Sequence, residues 1–289
     1  MEERTEKNKV LDGVLYLVGT PIGNLADLSE RAKKVLSEVD FIAAEDTRNT
    51  MRLLSCFEIR KELVSYHEHN RHEAGGRIIA RLLAGESCAL VTDAGMPAIS
   101  DPGEDLVRLA AEAGVTVTVV PGACAAITAL ALSALPTGKF CFEGFLPAAK
   151  GERKKRLAAL RSEERTVIYY EAPHKLRGTL ADMAEILGGG RKISLARELT
   201  KINEEIARMT IGEAVTLYTE REPRGEYVLV VEGAVAGSST EENPLLSLSP
   251  EEHVSHYEGE GLARMAAIKA AARDRGMSKS ELYKLLLDE

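Results

Sequence analysis

The sequence predicts an α/β protein built in two halves, from three observations. Short β-rich runs alternate with helix-period segments along most of its 289 residues. The runs CALVT (88–92) and VTVTVVPG (115–122) are apolar enough for central strands of a parallel sheet covered on both faces. Closely spaced strands late in the chain add an antiparallel portion.

In chain order, strands are expected at 15–18, 41–44, 88–92 and 115–120, then at 140–144, 166–170, 193–197, 205–210 and 227–232. Helices are expected at 29–38, 48–55, 73–84, 103–113, 125–134, 153–161, 174–187 and 211–220. The stretch PTGKFCFEGFLP reads as the crossing between the halves. The boundaries drawn are an N-terminal α/β domain, 1–122, and a second, 123–236. Residues 237–258 lack periodicity, collect Gly, Ser, Pro and Glu, and read as a linker. A helical element, 259–289, follows: an Ala-rich helix at 262–275 with Gly276 in C-cap position, then a helix opened by the capping box of Ser278 and Glu281. The pair has helix-turn-helix spacing, which a plain helical cap shares.

Composition narrows the function classes. The net charge of −8 argues against a generally basic nucleic-acid coat, and the absence of Trp against an obvious base-stacking surface. The longest apolar stretches fall short of the roughly 20 residues that span a bilayer, and the polar start MEERTEKNK is not a signal peptide. Cys56, Cys88, Cys124 and Cys141 contain no C-x-x-C pair and are expected as reduced, mostly buried thiols of a cytoplasmic protein.

The motifs lie at strand ends. In LYLVGTPIGNL, Gly19 and Gly23 flank Thr-Pro-Ile. This is neither the G-x-G-x-x-G of a dinucleotide site nor a P-loop, since no Lys follows Gly23. TDAGMPAISDPGEDL places Asp93, Gly95 and Pro97 after an apolar strand, where parallel sheets bind ligands. VVPGACAA opens a helix with small residues that leave room against the backbone. Acid and base meet in AEDTRNT (Glu45, Asp46, Arg48), YYEAPHKL (Glu171, His174) and LARELTK (Arg197, Glu198, Lys201). Caps and simple ion pairs account for any one of these taken singly. SYHEHNRHE fails the H-E-x-x-H zinc pattern because Arg71 stands where the second His belongs, so no metal is expected. The dense basic run is Lys150, Arg153, Lys154, Lys155 and Arg156, a phosphate-contacting patch or a solvated helix face.

Together, GTPIGNLADLSERA, AEDTRNT, SYHEHN, TDAGMPAISDPGEDLV, VVPGACAAITALALSALP, FEGFLP, YYEAPHKL and ARELTK resemble the tetrapyrrole-methylase superfamily, and within it the enzymes that methylate small-subunit ribosomal RNA. The resemblance covers nearly the whole chain. It implies two α/β domains with S-adenosylmethionine in the cleft between them, and 2′-O-methylation of a cytidine in the decoding region of 16S rRNA. By motif, it implies cofactor contacts at Pro21, Ile22, Asp93, Ala94, Gly95, Ala98, Cys124, Ala125, Glu171 and Leu199. A sulfonium cofactor carries no phosphates, which agrees with a first loop that lacks Lys.

Catalytic candidates on this reading are Asp46, Glu171, His174, Glu198 and Lys201; RNA contacts are Arg48 and the basic run; the assembly is a homodimer. Two rivals are weighed. A methylase of a tetrapyrrole or other small molecule does not need the basic run or the helical tail. A non-catalytic nucleic-acid-binding protein leaves the clustered strand-end loops unexplained. Cofactor binding separates the last from the others, and 30S particles against a porphyrinogen separate the first two.

Overall fold

The computed structural model describes residues 8–234, 245, 248–275 and 277–286. Among the described residues, ten strands and eleven α-helices form two compact units, one from 8–159 and 165–232 and the other from 160–164 and the described residues after 232.

The larger unit carries two sheets. The first contains β1 (Val14–Val18), β2 (Phe41–Ala44), β3 (Glu62–Ser65), β4 (Cys88–Val91) and β5 (Thr116–Val120) in the order β3-β2-β4-β1-β5. Every neighbouring pair is parallel. α1 (Glu30–Glu38) and α2 (Thr47–Cys56) supply Val35, Leu36 and Leu54 to the core on one face. α3 (Arg71–Leu83) and α4 (Gly103–Glu112) supply Ile78, Leu82 and Leu106 to the other. Connections leave β1 toward one edge of the sheet and β4 toward the opposite edge. The C-terminal strand ends around β4 and β1 therefore frame a switch-point crevice.

The second sheet contains β6 (Phe140–Phe145), β7 (Thr166–Glu171), β8 (Lys192–Arg197), β9 (Glu205–Thr210) and β10 (Tyr227–Val231) in the order β6-β7-β10-β8-β9. β6 and β7 are parallel and the other pairs antiparallel. α5 (Ala125–Leu132) packs Ala126, Ala129 and Leu130 on one face against Ile168, Ala196 and Val228. α7 (Pro173–Leu187) packs against both α6 (Lys150–Ala159) and α8 (Ile211–Glu220).

Three expectations are corrected. β5 is an edge strand with Thr116 and Thr118 exposed on one face and Val119 on the other, so a strand expected to be covered on both faces is partly open on each. β3 lies in a stretch expected to hold no strand. Of the four thiols only Cys88 is fully buried, which pushes it up to about 12, and Cys56 is exposed.

The smaller unit contains α9 (Pro250–Gly259), α10 (Arg264–Asp274) and α11 (Lys279–Leu285) around Val254, Ala267, Ile268, Ala271 and Leu282. All of α9 but Gly259 falls inside the segment expected to be linker. Its signals are a Ser249–Glu252 capping box and Pro250 at the first turn. The rest of that stretch, 237–244 and 246–247, lies outside the described residues, as do residues 1–7 and Gly276. The Ser278–Glu281 capping box opens α11 as expected. Among the described residues no helix is long and apolar enough to cross a membrane.

Candidate active site

Three loops leaving β1, β4 and β5 meet backbone to backbone. Gly19 N–H donates to Val120 O at 3.1 Å, Thr20 N–H to Gly95 O at 2.9 Å and Gly95 N–H to Thr20 O at 3.2 Å. A Cβ on Gly19 would stand 2.7 Å from Gly122 Cα, closer than real side chains come, so glycine is required on both sides. A Cβ on Gly95 would meet Ala123 O and Ile22 Cγ2 at 3.3 Å. Gly23 of the first loop packs on the stem of Lys201, from the loop between β8 and β9.

Strain gathers here. Six described non-glycine residues have φ in the left-handed region, and four of them sit in two adjoining loops: Ala98 (67°), Ser100 (64°), Glu198 (50°) and Thr200 (67°). Such conformations cost on the order of 1–3 kcal/mol each and persist where neighbours over-determine them. Asp101 does so in the first loop. Its Oδ1 accepts from Ala98 N–H (3.0 Å) and Gly103 N–H (2.7 Å), and its Oδ2 from Ile99 N–H (3.3 Å).

The loops and the α5 face of the second sheet enclose a cavity of about 560 Å³, within the roughly 300–1,000 Å³ usual for small-molecule sites. Small residues, Ala94, Gly95, Cys124, Ala125, Ala172 and Ala196, line much of it, with Ile22, Leu199 and Tyr170. Its charged lining is acidic: Glu45, Asp93, Asp101, Glu171 and Glu226 face it, and among the described residues Lys201 is the one Lys or Arg that does. Lys201 Nζ is itself paired with Glu198 Oε1 and Glu226 Oε2, each at 2.9 Å. A cleft of this charge suits a cationic ligand such as a sulfonium and disfavours a phosphate cradle.

Of the sequence-predicted cofactor residues, Ile22, Asp93, Ala94, Gly95, Cys124, Ala125, Glu171 and Leu199 line the cavity; Pro21 and Ala98 do not. Among the catalytic candidates, Glu171, His174 and Lys201 line it. Asp46 and Glu198 do not.

Asp46 caps α2 through Arg48 N–H and binds the Arg48 guanidinium at 2.8 Å, which lowers its carboxyl to about 2. Glu198, held low chiefly by its hydrogen bond from Lys201, buttresses that ammonium. Burial works against the charge on Lys201, but Glu198 and Glu226 outweigh it and raise it above its ordinary value. Glu171 is buried; its Oε1 accepts from Ala172 N–H (2.8 Å) and its Oε2 from the Thr179 hydroxyl (2.5 Å). His174 is exposed in the first turn of α7, and among the described residues its ring makes no hydrogen bond. Glu45, which accepts from Thr92 Oγ1 at 2.8 Å, and Ser100, Asp101, Phe145 and Glu226 line the cavity without having been singled out as site residues.

The basic run is largely neutralised. Arg153 is buried and bonded to Asp182 (Nη2 to Oδ2, 2.7 Å), so it holds α6 to α7 and does not reach out to phosphates as expected. Lys154 pairs with Glu185 at 2.6 Å and Arg156 with Glu143 at 2.5 Å. Lys150 and Lys155 are exposed. The His67 and His69 rings stand edge to face at 5.9 Å; among the described residues no three His, Cys, Asp or Glu side chains form a metal-holding group.

Residues 14–215 match the family model described as Tetrapyrrole (Corrin/Porphyrin) Methylases. The chain is 50% identical over 277 residues to the ribosomal RNA small subunit methyltransferase I of Halalkalibacterium halodurans, covering 96% of each chain. It is 49% identical over 272 residues to the protein of that name from Bacillus subtilis, covering 94% of this chain and 93% of the other. In fold it resembles a Thermus thermophilus uroporphyrin-III C-methyltransferase solved with S-adenosyl homocysteine, at a TM-score of 0.52 and 18% identity over 76% of this chain and 96% of that one. Sequence, fold and cleft agree: the chain belongs to the tetrapyrrole (corrin/porphyrin) methylase family, and within it to the ribosomal RNA small subunit methyltransferase I enzymes.

Proposed function

We propose that the chain methylates the ribose 2′-hydroxyl of a cytidine in the decoding region of 16S rRNA, using S-adenosylmethionine held in the cleft. The observation that carries this reading is an acidic cavity, without arginine among its described lining residues, bordered by three mutually packed loops. Bound S-adenosylmethionine supplies an electrophilic methyl on a sulfonium, with a neutral leaving group. Ile22, Ala94, Gly95, Cys124, Ala125 and Leu199 hold it, and Asp93 and Glu171 match its positive charge.

A ribose hydroxyl is a weak nucleophile, so the protein's remaining tasks are alignment and removal of one proton. His174 is the acceptor of that proton, because its ring is free and borders the cavity. Glu171 is the alternative acceptor, but both its oxygens already hold donors. Lys201, kept cationic by two carboxylates, stabilises the oxygen as it gains charge. Lys150, Lys155 and the exposed Arg48 contact rRNA phosphates.

We further propose a homodimer acting in the cytoplasm. The support for the dimer is the exposure of four large apolar side chains in β5, α5 and β6: Val119, Ile127, Leu132 and Phe140 are 46%, 48%, 36% and 39% exposed. Single-turnover methyl transfer to 30S particles at saturating cofactor tests the mechanism. His174→Ala should slow the chemical step by roughly a hundredfold or more, the scale of lost general-base help, with cofactor affinity kept. Wild-type rates in His174→Ala, Glu171→Gln and Lys201→Met together would leave alignment alone as the catalyst.

A further inference from the structure

Phe145 ends β6 and is 56% exposed at the cavity, in a chain with only 5 Phe and no Trp. In a regular strand Phe142 and Phe145, three residues apart, face opposite sides. Here a bulge shifts the register: Phe142 pairs with Ile168, Gly144 with Tyr169 and Phe145 with Tyr170. Both phenyl rings consequently pack on Tyr170, with centroids at 5.0 and 5.5 Å.

The bulge is held from both sides. Gly144 adopts φ 61°, and a Cβ there would come within 2.9 Å of Ser100 Oγ. Glu143 is tied to Arg156. Beside Ser100, Ile99 is, after Phe145, a second exposed large apolar side chain lining the cavity, 48% exposed. A bulge next to a site commonly re-aims one side chain, and this one turns a phenyl out of the core, forgoing its burial.

We propose that Phe145, backed by Tyr170, is the platform on which the base of the target nucleotide stacks when its ribose enters the cleft. The inference rests on the rRNA reading above. Enzymes that act on a nucleotide draw it out of its stack, and an aromatic face at the cleft replaces the contact it loses. Such a face accepts any base, so it positions the ribose without reading the sequence.

The test measures methylation of 30S particles and, separately, calorimetric binding of S-adenosylmethionine alone. Phe145→Ala should raise the KM for 30S particles by about 10- to 100-fold, the scale of losing one stacked base. Phe145→Leu should stay near Ala, and Phe145→Trp should restore wild-type KM. Cofactor affinity should hold within about twofold in all three. Unchanged KM in Phe145→Ala, full rescue by Leu, or a loss of cofactor binding in Phe145→Ala would each overturn the platform. Wild-type protein that labels no 30S RNA would instead overturn the rRNA reading beneath it.

Discussion

Replacing Gly122 with Ala strikes the place where the first and third cleft loops touch. The added Cβ would lie 2.9 Å from Gly19 Cα and 3.0 Å from Gly19 C and O, all backbone atoms that no rotamer change can move. To reach the 3.4 Å at which ordinary contact begins, the loops must part by about 0.5 Å. Overpacking of this kind costs about 1–3 kcal/mol. The free protein relieves it by opening the loops, and the cofactor must close them again. The strain is therefore charged against binding, and S-adenosylmethionine should bind roughly 5- to 150-fold more weakly, at 1.4 kcal/mol per tenfold. Gly76→Ala is the control: exposed in α3, with nothing within 4 Å of its added Cβ, it should stabilise the fold by up to about 1 kcal/mol and leave binding alone. Titration calorimetry and thermal unfolding on both variants decide the matter. A Gly122→Ala protein with wild-type affinity and melting temperature would refute the backbone-to-backbone account of the site.

Arg153→Met should destabilise by about 3–5 kcal/mol by stranding buried Asp182, with the salt dependence of 30S binding unchanged, whereas Lys155→Gln should lower that slope by about one. Because the Asp46 carboxyl is held at about 2, below the usual 3.8, its pairing with Arg48 stabilises the fold above that range and is lost as pH falls toward 2. Asp46→Asn should flatten this part of the acid-unfolding profile without changing stability's slope near neutrality. Ile127→Glu should shift the protein to monomer in sedimentation, since a charge on the α5 face opposes apolar pairing.

The regular elements were legible where period and length agreed: β2, β9 and α8 carry the boundaries their patterns dictate. β3 was not, because ELVS is four residues long and lies at a sheet edge beside charged residues. α9 hid in a Ser-, Pro- and Glu-rich stretch although its capping box was written there. The loops of the cleft could be read from their Gly, Pro and Asp. The partners across it could not, since Glu226 and Lys201 meet only through the antiparallel pairing of β8 and β10. The basic run misled because Asp182, Glu185 and Glu143 come from other elements and cancel it in space. Phe145 had a local signal: a glycine inside a strand marks a bulge.

The most direct measurement is nucleoside mass spectrometry of 16S rRNA after unmodified 30S particles are incubated with the purified protein and methyl-labelled S-adenosylmethionine. The account predicts one labelled nucleoside, 2′-O-methylcytidine, from the decoding region, formed roughly 5- to 150-fold more slowly by the Gly122→Ala variant at cofactor concentrations below its weakened Kd. Label on a base, or RNA left unlabelled, would contradict it.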